Sequence, residues 1–181
     1  KSLMSKYNKL INKIFPELNY IAPHLKINNK INKKNTYNLG IISAFFSDNS
    51  SVLLDFKGVI DKLPEKYNLT FIYLNESDNN SSYLYTKDKV FEYKKTHNWL
   101  ETARDDISKL NLDIMFYLDP IMSSMVHRLM RSKLAKIQLV SHGHPITSGL
   151  DKSIINYYIS WAGAELKYDI AKNHYTEELI L

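Results

Sequence analysis

Cysteine is absent from the 181-residue chain, which excludes disulfide bonds and thiolate metal ligands. A chain without cysteine suits a reducing compartment, so we expect a cytoplasmic location. Long apolar runs are also missing, since none approaches the roughly 20 residues that a membrane-spanning helix needs. The first residues carry no secretory signal either. The sequence therefore predicts a protein with neither disulfides nor a membrane span.

Glycine is sparse, with five residues in the whole chain. No G-x-G-x-x-G turn follows the first predicted strand and no P-loop occurs, so dinucleotide binding is not indicated. His142 and His144 lie two positions apart without an obvious third ligand, whereas metal sites need three or four convergent ligands. We therefore expect no metal and no resident cofactor.

Basic residues outnumber acidic ones, which gives a net charge of +5 and a pI near 9.1. The lysines are scattered among asparagines and are densest in residues 26–35. No interleaving of basic and aromatic residues and no nucleic-acid motif accompanies them. Nucleic acid is therefore not an expected partner.

From residue 39 onward, apolar runs typical of buried strands alternate with segments of helical spacing. Such alternation predicts an α/β fold, a Rossmann-like doubly wound parallel sheet. The predicted strands are residues 39–46, 69–74, 90–93, 112–118, 136–140 and 154–159; the predicted helices between them are residues 52–63, 98–111 and 121–134.

The amino-terminal residues predict a separate helical extension. Leu3, Met4, Tyr7, Leu10, Ile11 and Ile14 recur at helical spacing, so this helix needs a surface to pack on. Residues 26–35 are too polar to bury and read as a connector. We therefore divide the chain into an extension with its connector, residues 1–38, and a sheet domain, residues 39–181.

In the predicted helix 121–134, the apolar positions include three methionines, and this stripe indicates core packing. The same spacing places Arg128, Arg131 and Lys133 on the solvated side. His127 lies beside the stripe and is not expected to take part in chemistry.

Candidate site residues lie in the loops that follow predicted strands, because the carboxyl ends of parallel strands line the ligand crevice. His144 is the first candidate for proton transfer and His142 the second, since imidazole exchanges protons near neutral pH. A loop rich in Gly, Pro and Ser can equally be a turn, and Asp48 and Asn49 are helix-cap residues first and site residues second. The expected substrate-binding residues are Ser47, Asp48, Asn49, Pro145, Thr147, Ser148 and Gly149.

The last third of the chain carries the motifs LAKIQLVSHGHPITSG (residues 134–149), INYYIS (155–160) and HYTEEL (174–179). Their order and spacing resemble the O-linked N-acetylglucosamine transferase family and its bacterial relatives, whose pattern reads R-L-A-P-I-Q, G-H/Y-P-x-T-S/T-G, D-Y-I/F-I-S and E-x-Y-S/T-E-x-L. Residues 40–43 and 112–119 fit the earlier strands of that family. The resemblance covers residues 39–181.

The resemblance implies the amino-terminal, acceptor-side half of a GT-B glycosyltransferase, in which two Rossmann-like halves face each other across a cleft. It implies a UDP-sugar donor, a protein acceptor and no required metal, with a carboxy-terminal half beyond Leu181. Since donor contacts in this family lie mostly in that second half, we expect this chain alone to be inactive. Helical repeats precede this half in many members, and the helix at residues 3–14 is compatible with the last piece of such an array.

The first loop departs from the family pattern S-D-F-x-x-H-P. Phe45 occupies the aspartate position, Asn49 the histidine position, and Lys136 the proline position of L-A-P. Neither a phenyl ring nor an amide is a base at neutral pH. A divergent, non-catalytic Rossmann-like binding module is therefore the alternative function.

Overall fold

The computed structural model describes residues 1–27, 35–47, 50–76, 89–141 and 147–181. Within these ranges the structure has seven strands, which include the six that the apolar runs predict. The strands are β1 (Tyr37–Ser43), β2 (Tyr67–Asn75), β3 (Lys89–Lys94), β4 (Ile114–Tyr117), β5 (Ile137–Ser141), β6 (Tyr157–Ile159) and β7 (Glu178–Ile180). The helices are α1 (Ser2–Ile14), α2 (Pro23–Ile27), α3 (Ser51–Ile60), α4 (Trp99–Lys109), α5 (Ser124–Leu129) and α6 (Tyr168–Ala171), with 3₁₀ turns at Pro16–Leu18 and Lys172–His174.

The seven strands form one parallel sheet in the order β3-β2-β1-β4-β5-β6-β7. Both faces of the sheet are covered. Ile41 and Phe116 belong to a buried cluster with the apolar face of α3, whereas Ile42 and Tyr117 belong to a cluster with α4 and α5. The predicted doubly wound α/β fold with a short helical extension is therefore confirmed.

Local sequence explains where several elements begin and end. The Ser50 side chain accepts a hydrogen bond from the Leu53 backbone N–H and so caps α3. Asn111, just after the end of α4, has φ of 48°, a left-handed conformation that asparagine tolerates and that turns the chain into β4. The short strand β7 was not predicted, because its three residues are too few to show a period.

The helix predicted for residues 121–134 is much shorter in the structure. It begins after Ser123, whose hydroxyl accepts from the Val126 N–H, and it ends at Leu129. Beyond this point the helical period no longer applies, and Arg131 and Lys133 are buried rather than solvated. Lys133 donates to the carbonyl oxygen of Ile154 and to Oδ1 of Asn156. The predicted solvated position is therefore wrong for these two side chains.

Helix α1 forms where the sequence predicts it, and its contact face combines Asn8 with part of the apolar stripe. Asn8 is 3% exposed, whereas Leu3, Leu10 and Ile14 are each more than half exposed. Asn8 Nδ2 donates to the carbonyl oxygen of Ser148 at 2.8 Å, so a polar contact holds the helix on the sheet domain. Of the apolar stripe, Ile11 packs against the core and Met4 lies against Gly149, so the stripe forms only part of the contact face. The division of the chain at residue 38 stays a prediction.

No helix in the described ranges is both long enough and apolar enough to cross a membrane.

Candidate functional site

The strand order reverses between β1 and β4, and the two strands are adjacent in the sheet. In open α/β sheets, ligands bind outside the carboxyl ends of the strands at such a reversal. Strand β1 ends at Ser43, β4 at Tyr117 and the neighbouring β5 at Ser141. Because the strands are parallel, the loops after Ser43, Tyr117 and Ser141 leave from the same edge of the sheet.

Asp119 lies at this reversal, two residues beyond β4, and its side chain is fully buried. Its Oδ2 accepts a hydrogen bond from the backbone N–H of Ala44, the residue that follows β1, at 3.2 Å. Its Oδ1 is buried and has no hydrogen-bond partner in the part of the chain that the structure describes. The carboxyl group therefore joins the β1 and β4 loops while one oxygen stays unsatisfied.

Burial raises the pKa of Asp119 to about 7, although hydrogen bonds from the Ser43 hydroxyl and the Ala44 N–H act in the opposite direction. The protonated form of Asp119 is therefore populated at neutral pH. The hydroxyl of Tyr117, two residues earlier, is also buried without a partner among the described residues, and burial raises its pKa. The Asp119 carboxyl group can therefore hold and release a proton near neutral pH.

Glu76 provides a second carboxylate at this edge, one residue beyond β2. Burial favours its neutral form, but hydrogen bonds from Ser124 and Met125 outweigh burial and lower its pKa. The Ser124 hydroxyl donates to Oε1 at 2.6 Å and the Met125 N–H at 2.8 Å. Glu76 is therefore a fixed negative charge beside α5, and its proximity contributes to the raised pKa of Asp119.

Five of the predicted site residues lie outside the described residues. They are Asp48, Asn49, His142, His144 and Pro145. Ser47, after β1, is described and half-buried, and it belongs to a loop at the predicted edge. The catalytic assignments of His142 and His144, and the binding roles of the other three residues, stay predictions.

Thr147 and Ser148 are buried, and their hydroxyls donate to Glu177, which is itself 4% exposed. The Thr147 hydroxyl lies 2.6 Å from Oε2 of Glu177; the Ser148 hydroxyl and N–H both donate to Oε1, the N–H at 2.8 Å. The Thr147 oxygen also accepts from the N–H groups of Gly149 and Thr176. These contacts attach residues 147–149 to Thr176 and Glu177, directly before β7. The substrate contacts of Thr147 and Ser148 stay predictions.

Gly149 has φ of +70°, a conformation that glycine adopts without strain. A Cβ placed there would lie 2.4 Å from Cβ of Met4 and 2.7 Å from its carbonyl carbon. Only a residue without a side chain allows α1 to approach the loop this closely. Close packing against α1 therefore requires a glycine at position 149, in addition to the binding role predicted for Gly149.

Asp119, Glu76 and Glu177 were not among the predicted site residues. A local signal exists for Asp119, because an acidic residue directly follows the buried strand 112–118 and precedes a proline. Glu177 lies in the motif HYTEEL, but the sequence does not indicate its partner Ser148, which lies 29 residues away. Glu76 gives no local signal, since its partner Ser124 lies 48 residues away. Within the described ranges, no three His, Asp or Glu side chains converge as a metal site requires.

Comparison with known proteins supports the fold. No family model matches the sequence, and no match is found among curated proteins. Among solved structures, the chain is similar to a mutant O-GlcNAc transferase from Thermobaculum terrenum, with a TM-score of 0.60 and 15% sequence identity. The similarity covers 81% of this chain and 27% of that one, so the chain spans about a quarter of the transferase's length. At this identity the similarity establishes a GT-B-like fold.

Proposed function

We propose that this chain is the acceptor-side, amino-terminal half of a glycosyltransferase that moves a sugar from a UDP-sugar to a protein side chain. The observation that carries the proposal is the polar sheet edge at the β1–β4 reversal, in a fold similar to that of a GT-B transferase. The motifs of residues 134–179 support the same family. The acceptor would lie over this edge, and the second half would hold the donor.

The transfer requires a base for the acceptor proton and charge stabilisation for the leaving diphosphate. In the proposed arrangement His144 takes the acceptor proton, and β5, the strand that precedes it in the chain, ends at the same edge as Asp119. Asp119 is a positioning residue, because its Oδ2 fixes the first backbone N–H of the loop after β1. This role does not depend on an acidic residue at position 45 or a histidine at position 49, the two positions that depart from the family.

The test is UDP release by the full-length protein, with UDP-N-acetylglucosamine and UDP-glucose as donors and intact-mass spectrometry of candidate acceptor proteins. We expect donor-dependent UDP release together with a mass increase of one sugar on the acceptor.

The departures at Phe45 and Asn49 favour a second candidate, a binding module without catalysis. A folded full-length protein that neither releases UDP nor modifies an acceptor would support this second candidate against the first.

A further inference from the structure

A cavity of about 330 Å³ lies between the amino-terminal helix and the sheet domain. Its walls are α1 and the turn after it, the first residues of α4, and the end of α5. Tyr7, Phe15 and Trp99 form an aromatic part of the wall, and Leu100 and Ile11 extend it. The volume falls at the lower end of the roughly 300–1,000 Å³ typical of small-molecule sites.

Arg131 lies in the wall of this cavity and is only 2% exposed. Its guanidinium donates to Oδ1 of Asn8 and, at 3.4 Å, to Oδ1 of Asn12. It also lies 3.3 Å from Nε2 of His127 and 5.9 Å from the centre of the Tyr7 ring. All four of these partners are uncharged side chains when the histidine is neutral.

His127 is neutral at physiological pH, because burial and the neighbouring arginines lower its pKa to about 4. No carboxylate in the described part of the chain forms an ion pair with Arg131. Glu17 and Glu101 belong to the cavity wall but are exposed to solvent. A buried cation with only neutral acceptors is costly, and an anion beside it recovers part of that cost.

We propose that this cavity binds a small organic carboxylate with an aromatic or branched aliphatic body. The carboxylate pairs with Arg131, and the apolar body packs against Tyr7, Phe15 and Trp99. One buried positive charge favours a monoanion, since a phosphoryl dianion would bring a second charge without a buried partner. The site is independent of the proposed glycosyl transfer, because it uses none of the residues at the β1–β4 edge.

The test uses Trp99 as an internal probe. The chain has two tryptophans, and the other, Trp161, is 62% exposed, so Trp161→Phe leaves a single reporter in the cavity wall. This protein is titrated with 3-phenylpropionate and with 3-phenylpropionamide, which has the same shape without the charge. We expect a saturable change in fluorescence with the carboxylate and an affinity at least tenfold lower for the amide. No saturable change, or equal affinity for the two probes, overturns the proposal.

A matched pair of variants tests the role of the unneutralised guanidinium. His127→Glu supplies an internal carboxylate next to Arg131, whereas His127→Gln has nearly the same shape and no charge. We expect the glutamate variant to lose binding of 3-phenylpropionate by at least tenfold and to melt at a higher temperature than the glutamine variant. The glutamine variant should bind within about threefold of the parent. Equal binding by both variants would show that the charge of Arg131 does not select the ligand.

Discussion

Asp119 belongs to the proposed site, and its buried carboxyl group also makes the stability of the folded protein depend on pH. Its pKa in the folded protein is about 7, against about 3.9 in an unfolded chain. Between these values the folded protein binds more protons than the unfolded chain, so stability falls as pH rises from about 4 to about 7. We expect Asp119→Asn to remove this slope and to be more stable than the parent at pH 8, by on the order of a few kcal/mol.

Urea unfolding of both proteins at pH 4, 6 and 8 checks this prediction. Asp105→Asn is the control, because Asp105 is an exposed residue of α4 and its variant should keep the slope of the parent. Parallel pH profiles of the parent and Asp119→Asn would mean that the carboxyl group is already charged in the folded protein at acidic pH.

His144 is the second residue whose role can be tested alone. If His144 takes the acceptor proton, His144→Ala in the full-length enzyme should lower kcat by roughly 10²-fold or more, the usual scale for a lost acid or base. His174→Ala is the matched control, because His174 is an exposed histidine that is not among the predicted site residues. Activity of the His144 variant within a few-fold of the parent would assign this histidine to the turn before Pro145.

At the scale of elements, α1 and the loop before Leu150 constrain each other through Gly149. We expect Gly149→Ala to lower the free energy of unfolding by about 2 kcal/mol or more, because its φ is strained for alanine and its Cβ meets the backbone of Met4. Gly58→Ala is the control, since Gly58 lies in α3 with no atom within 4 Å of an added Cβ. That change should stabilise the protein by about 0.5–1 kcal/mol.

Urea denaturation of the two glycine variants gives both free energies under the same conditions. An unchanged stability for Gly149→Ala would mean that α1 moves away from the loop without cost. In that case the hydrogen bond from Asn8 to Ser148 would contribute little to the attachment of the helix.

Helix α5 shows why the sequence predicts the presence of a helix better than its length or the burial of its side chains. The apolar spacing of residues 121–134 indicates one long helix, but the Ser123 cap and the turn after Leu129 reduce it to six residues. Burial of Arg131 then depends on Asn8 and Asn12, which lie more than 110 residues earlier. Helical periodicity describes neighbours three or four positions apart and contains no information on such distant partners.

For the whole molecule, the order of strands β1 to β6 could be predicted, because a strand covered on both faces leaves a continuous apolar run. The site could be predicted only as a sheet edge. Ser47 follows β1 at that edge, as predicted from its position after an apolar run. The pKa values of Glu76 and Asp119, in contrast, depend on burial and on hydrogen bonds between different loops. Only the folded chain brings these groups together, so their charge state cannot be read from the sequence.

The charges of the sheet edge lead to a prediction about the donor. A UDP-sugar presents a diphosphate, which binds to glycine-rich turns, free helix N-termini or clustered cations. Here the loop after β1 lacks a glycine-rich turn, and the Ser50 side chain already occupies the N-terminus of α3. The nearby carboxylate of Glu76 adds a negative charge that repels a diphosphate. We therefore expect the 181-residue chain alone to bind UDP and UDP-N-acetylglucosamine with dissociation constants no tighter than the millimolar range and to transfer no sugar.

Isothermal titration calorimetry of the folded chain with each nucleotide measures this directly, and thermal unfolding of the same sample confirms that the protein is folded. Glu76→Gln is the informative variant, because it removes the negative charge while an amide oxygen still accepts from Ser124 and Met125. If charge repulsion limits the affinity, this variant should bind UDP several-fold more tightly than the parent and still far more weakly than a complete donor site. Micromolar binding by the parent chain would place the donor site in this chain and would contradict the proposed acceptor-side role.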